Sequence, residues 1–402
     1  MKSSIPHVIR LLIVILVMSL VVDFAMLNFS AHKDMLDFSQ FYCAGQIVRQ
    51  GLGRSLYDLR TQWECQSRVA SVHTFYNHPP FEALLFLPFT SFSYRTAYAL
   101  WTIMSLALLV SAALLIETQT KVGLAISQYT RIRADFGLVL MIFLTFAPAT
   151  TCLLIGQDSM LVIFIYTLAF ILLKRGAEFQ AGCVLACGLF KFQFIVPFVV
   201  IVLLRRRWSA VGGFAVIAAF LVVVSTGVSG LQAITGYPRF LFFDTAYREV
   251  SFFQPQFTAN IRGFLYLFAG RRLPGSAFVV LVAAFSALAL WLAAKNWRDE
   301  QFGLSFSAAV IATLLASYHL YNYDLTLLLL PIAIVCGELA QGGRLLSGPV
   351  PLTGALVVLF IPPLHSMLVQ RSAYALMSIP VLVLFFTVIW LTRTGALEHP
   401  VS

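Results

Sequence analysis

The chain has 402 residues, 60% of them apolar and only 11% charged, whereas a soluble domain carries roughly 25% charged residues. So little polarity cannot cover a water-facing surface, which excludes a soluble fold and predicts an all-α polytopic membrane bundle of about ten spans, each needing about 20 apolar residues. The net charge of +10 does not imply nucleic acid, because its cations sit at the ends of apolar runs: Arg10, Lys174 with Arg175, Arg205 to Arg207, Lys295 with Arg298, Arg344 and Arg393. That is how short cytoplasmic loops are marked.

In chain order, the first apolar run covers 8–29 behind Lys2 and Arg10 and lacks a small-x-small cleavage site. It predicts an uncleaved anchor with a cytoplasmic N-terminus, in the plasma membrane. The polar stretch 30–79 would then be extracytoplasmic. Its apolar residues recur at helical spacing in two groups, Phe38, Phe41, Tyr42, Val48 and Leu52, then Leu56, Leu59, Trp63 and Ala70, with Gly51 and Gly53 between them. Two interfacial amphipathic helices are expected there. Cys43 and Cys65 share this loop and either pair, as an oxidising compartment allows, or stay free. The next run, 80–92, is short: if it spans, Lys121, Arg131 and Arg133 fall outside, and if it is re-entrant they fall inside, which the charge pattern favours.

The run 180–204 carries Lys191 at its centre. A lone charge there costs at least ~3 kcal/mol, so the run is expected to break into two half-helices with Lys191 at the turn. A second polar stretch, 229–257, is rich in aromatics and turn residues. No repeat, linker or low-complexity tract divides the chain, so 1–402 is expected to form one domain.

Polar residues at membrane depth are functional candidates because lipid penalises them. They are Asp37, Asp58, His78, Gln157, Asp158, Lys191, Gln193, Asn260, His319, Asn322 and Asp324. Asp37 suits two roles, a helix N-cap or a general base raised by desolvation at the rim of an apolar cavity. Lys191 and Gln193 would bind phosphate, with snorkelling as the plainer role for the lysine. His319, Asn322 and Asp324 form either a polar turn between helices or a donor-binding cluster. Gln157, in a Gly156-Gln157-Asp158 stretch that also suits a tight turn, and Asp324 join the donor-binding set; Asp58, Asn260, Asn322 and His78, the last equally a plain loop residue before Pro79-Pro80, join the substrate cavity. No string matches a nucleotide loop, a serine elbow or a zinc site. No cofactor and no metal are expected.

At these residues the chain resembles glycosyltransferase family 87. The likeness is carried in order by Asp37-Phe38-Ser39-Gln40-Phe41-Tyr42-Cys43-Ala44-Gly45, by Gly53-Arg54-Ser55-Leu56-Tyr57-Asp58 (similar to the family's Gly-x-x-[IL]-Tyr-[DN]), and by Asn77-His78-Pro79-Pro80-Phe81. Leu87-Pro88, Ala99-Leu100-Trp101, Gly156-Gln157, Lys191-Phe192-Gln193 and the stretch from His319 to Asp324 follow, over about 23–331. Phe192 and Tyr318 stand where the family often has Pro. The resemblance implies a GT-C-type helix bundle, a polyprenyl-phosphate-linked sugar as donor (mannose first), a lipid or glycan acceptor, inversion, and Asp37 as the catalytic residue. A transporter or flippase built from the same broken helices is the rival reading.

Overall fold

The computed structural model describes residues 37–70, 74–130, 134–243, 254–270, 272–342 and 349–394. The expected N-terminal anchor lies outside them. The described residues contain α- and 3-10 helices and no strand. The helices are α1 (Phe38–Arg49), α2 (Leu59–Gln66), α3 (Pro80–Phe86), α4 (Tyr94–Thr120), α5 (Val122–Thr130), α6 (Phe136–Thr145), α7 (Ala147–Ile155), α8 (Ser159–Lys174), α9 (Glu178–Cys187), α10 (Phe192–Leu204), α11 (Trp208–Phe243), α12 (Ile261–Ala269), α13 (Gly275–Lys295), α14 (Phe302–Ala316), α15 (Leu329–Gln341), α16 (Val350–Leu359), α17 (Pro362–Gln370) and α18 (Ser378–Thr394).

Five helical segments are long and apolar enough to cross a membrane, and eight if each bent pair is one span. The described residues thus hold fewer spans than the ten expected. One reason is that apolar runs fold as bent pairs. The pair α9 with Leu189–Leu204 turns by 66°, and Lys191 sits at the break, as its mid-run charge predicts. The pairs α6/α7 and α16/α17 bend by 73° and 65°. Pro148 and Pro362 each stand in the first turn of the second helix, where a missing N–H costs nothing. Those breaks were not expected. Nor was the reach of α11, which continues through the turn-rich stretch to Phe243. At Gly230, with φ 79° and ψ 160°, a kink divides this span into two helices.

Hydrogen bonds sort the connections to two ends. At one end, Lys174 donates to the carbonyl of Gln119, Gln341 to that of Thr120, Arg207 to Glu178 and Asp299, and Arg393 to Asn296. At the other lie α1 to α3, the turn 156–158, the break at Lys191 and the segment 317–324. The short α3 stays at this second end, and α4 then crosses to Lys121, in keeping with a non-spanning 80–92.

α1 is not an interfacial helix. Nine of its twelve residues, Phe38 to Ala44 with Gly45 and Ile47, are buried. The aromatic spacing that reads as a lipid-facing stripe instead packs Phe38 and Phe41 against Phe86, Tyr94, Tyr98 and Trp101. Tyr42 also donates to the carbonyl of Phe92. Large aromatic areas bury more favourably among other rings than against headgroups. α2 keeps an exposed side with Trp63. Cys43 and Cys65 form a disulfide joining α1 to α2, with their Cα atoms 5.8 Å apart.

Candidate functional site

The polar centre is built from four breaks in helical structure. Asp37 immediately precedes α1 but does not cap it. Its Oδ2 accepts from Gln157 Nε2 at 2.8 Å, 120 residues away. Gln157 follows Gly156, which ends α7 at φ +73°; a Cβ there would meet Phe38 Cβ at 2.7 Å. Glycine thus allows both the left-handed turn and the close approach of α1. The turn is fixed from α4, since Trp101 Nε1 donates to the Gly156 carbonyl at 3.0 Å and Tyr98 to that of Leu154 at 2.6 Å.

Behind this pair lies a buried charge cluster. Lys191 Nζ is 2.7 Å from Asp158 Oδ1, 2.6 Å from Asp324 Oδ1 and 2.7 Å from Ser159 Oγ. The ammonium donates to Asp324 and Ser159 and is ion-paired with Asp158. Lys191 is 2% exposed and flanked by two carboxylates, so its expected phosphate contact has no surplus positive charge behind it. Asp324, also assigned to the donor, serves instead as one of its counter-ions. A carboxylate facing a phosphate would repel it.

His78 adjoins the same cluster. Its Nδ1 is 2.9 Å from Glu82 Oε2 and 3.6 Å from Asp158 Oδ2. Its loop is held by three contacts: Tyr57 donates to the carbonyl of His78, Tyr237 to that of Asn77, and the Gln62 amide exchanges two hydrogen bonds with Tyr76. Glu82 was not anticipated. It lies on the short α3, where a lone acid in an apolar run resembles an edge residue, yet it is 2% exposed. Burial pushes its carboxyl up to about 7, against the pull of His78. His78 is raised: burial lowers it, and Glu82 outweighs burial. Atoms of His78, Glu82 and Asp158 lie within 4.8 Å of one another and could hold a metal ion. A divalent ion there would share Asp158 with the Lys191 ammonium, which lies 2.7 Å from its Oδ1, and the like charges would repel. The lysine already supplies the cation.

On the open side stand His319 and its neighbours. Gln193 Nε2 lies 3.3 Å from His319 Nε2. Burial, then the charges of Lys191, His78 and Arg262, hold His319 near 3 instead of 6.5, so its imidazole is neutral. Arg262, in the first turn of α12, stacks on Tyr318 at 4.8 Å and was missed by the sequence reading. It sits two residues after a turn and looks like any rim cation. Asn260 is wholly buried and structural: it caps α12 through Gly263 N–H and donates to the Ser317 carbonyl at 2.8 Å. Asn322 lines a cavity of about 220 Å³ with Tyr321, Phe257, Val369 and Tyr374. Asp58 does not join the site. It is exposed and caps α2 through Thr61 N–H at 2.8 Å, the ordinary role of such an Asp.

Burial pushes Asp37 from 3.8 up to about 6, while the Gln157 hydrogen bond, then Lys191 and His78, pull it down. A base with a pKa near neutrality is well matched to taking a hydroxyl proton.

Beside this centre an apolar groove of about 650 Å³ runs between α12, α13 and α18, lined among others by Ile261, Leu265, Leu288, Leu292, Leu382 and Phe386. Several of its side chains are exposed at the edge, including Leu288, Phe386 and Trp390. On a membrane protein such a surface faces lipid. α12 therefore carries Arg262 beside the polar centre and Ile261 and Leu265 in the groove.

An all-helical bundle with broken spans, and a buried polar centre at one end, defines a polytopic membrane protein with an enclosed reaction or transport site. The glycosyltransferase family 87 profile matches residues 76–317, which is more than half of the chain, and the chain belongs to that family. It is a membrane glycosyltransferase. Comparison with curated proteins and with solved structures gives no match.

Proposed function

We propose that the protein transfers a sugar, mannose first among candidates, from a polyprenyl phosphate to a lipid or glycan hydroxyl outside the cytoplasm. The observation that carries this reading is Asp37: a carboxylate freed from helix capping, fixed by Gln157 at 2.8 Å and raised to about 6. It removes the proton from the acceptor hydroxyl. The acceptor oxygen then bonds to the anomeric carbon from the face opposite the phosphate. The bond from that carbon to the phosphate oxygen breaks, its electron pair leaving on phosphate. One displacement inverts the anomeric centre.

Donor binding follows from the same geometry. Arg262 supplies the charge for the phosphate, and the neutral His319 a ring N–H. The groove beside α12 takes apolar chain. Lys191, surrounded by two carboxylates and a hydroxyl, holds α8, the broken span and Asp324 in register. The cavity at Tyr321 and Asn322 lies next to these groups and has room for part of the sugar. His78 and Glu82 sit behind Asp158 and tune the field at Asp37. The reading needs no metal and no cofactor.

Two features support an extracytoplasmic site. The disulfide Cys43–Cys65 joins the helix that follows Asp37 to its neighbour, and such bonds persist in oxidising compartments. Arg205 to Arg207 and Lys174 with Arg175 lie at the opposite end. Charge alone does not decide, since Arg49, Arg54, Arg60 and Arg68 accompany the site. A transporter would use similar broken helices, but family membership favours transfer.

The test uses purified protein with radiolabelled polyprenyl-phosphate mannose, glucose and arabinose and a membrane glycolipid extract. Label is expected to move to a new lipid or glycan product with release of polyprenyl phosphate. If label from every donor stays on the carrier, the donor assignment is wrong.

A further inference from the structure

The Gln157 amide has a second end. Its Nε2 donates to Asp37 Oδ2, and that contact fixes the amide's orientation, because an ionised carboxylate only accepts. Oε1 therefore points away from the carboxylate, and it has no hydrogen-bond partner although the residue is 3% exposed. The side chain has little freedom to escape this. The Gln157 N–H is bonded to the Cys152 carbonyl at 3.0 Å, its own carbonyl accepts from Cys152 Sγ at 3.4 Å, and Trp101 clamps the preceding glycine. A buried acceptor left unpaired costs free energy, and here a rigid turn keeps it beside the candidate base.

Lys191, the cation of the neighbouring cluster, is already engaged: it donates to Asp324 and Ser159 and is ion-paired with Asp158. A phosphate cannot serve it either. An ionised phosphate carries acceptors only, so the accepting atoms of Asp37 and Gln157 repel it. What fits is a group that donates twice.

We propose that Asp37 and Gln157 Oε1 form a two-point subsite for the acceptor, in which one hydroxyl gives its proton to Asp37 while a hydroxyl on the adjacent carbon donates to Gln157. The acceptor is then a glycan or glycolipid with neighbouring hydroxyls, not a lone alcohol, and Gln157 belongs to acceptor recognition and not to the donor phosphate. This rests on the reading of Asp37 as the base.

The experiment measures two quantities in wild type, Gln157→Leu and Gln157→Glu. The first is equilibrium retention of labelled membrane glycolipid extract on immobilised protein without donor. The second is the apparent KM for extract and for polyprenyl-phosphate sugar in transfer. Gln157→Leu is expected to weaken retention and raise the acceptor KM about tenfold or more, leaving the donor KM unchanged. Gln157→Glu keeps an accepting oxygen and should hold acceptor better than Gln157→Leu, although it slows turnover beside Asp37. Periodate, which cleaves adjacent diols, should abolish retention of the extract. Unchanged retention in Gln157→Leu, a rise confined to the donor KM, or full retention of periodate-treated extract would each overturn the subsite. An Asp37→Asn protein that turns over normally would instead defeat the base reading, and retention would still report on Gln157.

Discussion

Two charged groups of the polar centre, Lys191 and Asp37, are held in opposite ways. Around Lys191 two carboxylates and a hydroxyl surround the ammonium and the side chain is sealed. Around Asp37 and Gln157 valences remain open: Gln157 Oε1 has no partner, and Asp37 receives one hydrogen bond from the amide. A cation neutralised by two carboxylates acts as a structural pin, and the unpartnered oxygen beside Asp37 is where the proposed acceptor subsite lies.

The largest effect expected from this contrast is at the pin. Lys191→Ala leaves Asp158 and Asp324 buried without a counter-ion, a loss of about 3–5 kcal/mol. Folded yield in detergent should collapse. Combining Lys191→Met with Asp158→Asn and Asp324→Asn should recover much of it, because removing a buried ion set together is often near neutral. A well-folded Lys191→Ala protein with only a raised donor KM would return the lysine to the phosphate.

Next comes Arg262. Arg262→Ala should raise the donor KM about tenfold, equivalent to about 1.4 kcal/mol, with Arg262→Lys in between because a point charge replaces the planar fork. An unchanged donor KM would place the phosphate elsewhere.

The pH profile gives an effect of similar size over a narrower range. Asp37 acts as a base only when ionised, so activity is present above about pH 6 and is lost as pH falls through it. At pH 5 about a tenth of the base is ionised, and the rate should fall about tenfold. Gln157→Leu removes a hydrogen bond that lowers this pKa, so its acidic limb should move to higher pH. A limb at the ordinary carboxylate pH, unmoved by the substitution, would point to another group.

The smallest effect expected is none. Chelation should leave transfer intact, because Lys191 already stands where a cation would neutralise Asp158. Loss of activity with chelator, restored by Mn²⁺ or Mg²⁺, would make His78, Glu82 and Asp158 the ligands to mutate.

How much of this was legible in the sequence depends on the range of the interaction. The break at Lys191 was readable, because a charge in mid-run has few physical outcomes. The pairing of Cys43 and Cys65 was one of two open alternatives. The partners of Lys191 were not readable, since Asp158 and Asp324 lie 33 and 133 residues away. Asp37 suited a cap or a base on local pattern, and its hydrogen bond goes to the distant Gln157 instead of to the helix end. Glu82 and Arg262 escaped notice because each stands alone beside a turn. The aromatic stripe of α1 had the spacing of an interfacial helix; whether rings or lipid covered it was decided by α3 and α4.

The central claim is that Asp37 is the base of a glycosyl transfer, and single-turnover transfer from a labelled polyprenyl-phosphate sugar in wild type and Asp37→Asn tests it most directly. The substitution keeps the shape of the side chain. It should lower the rate constant about 10²–10⁴-fold while donor binding and folded yield stay within twofold. A rate within threefold of wild type in the well-folded variant would contradict the account.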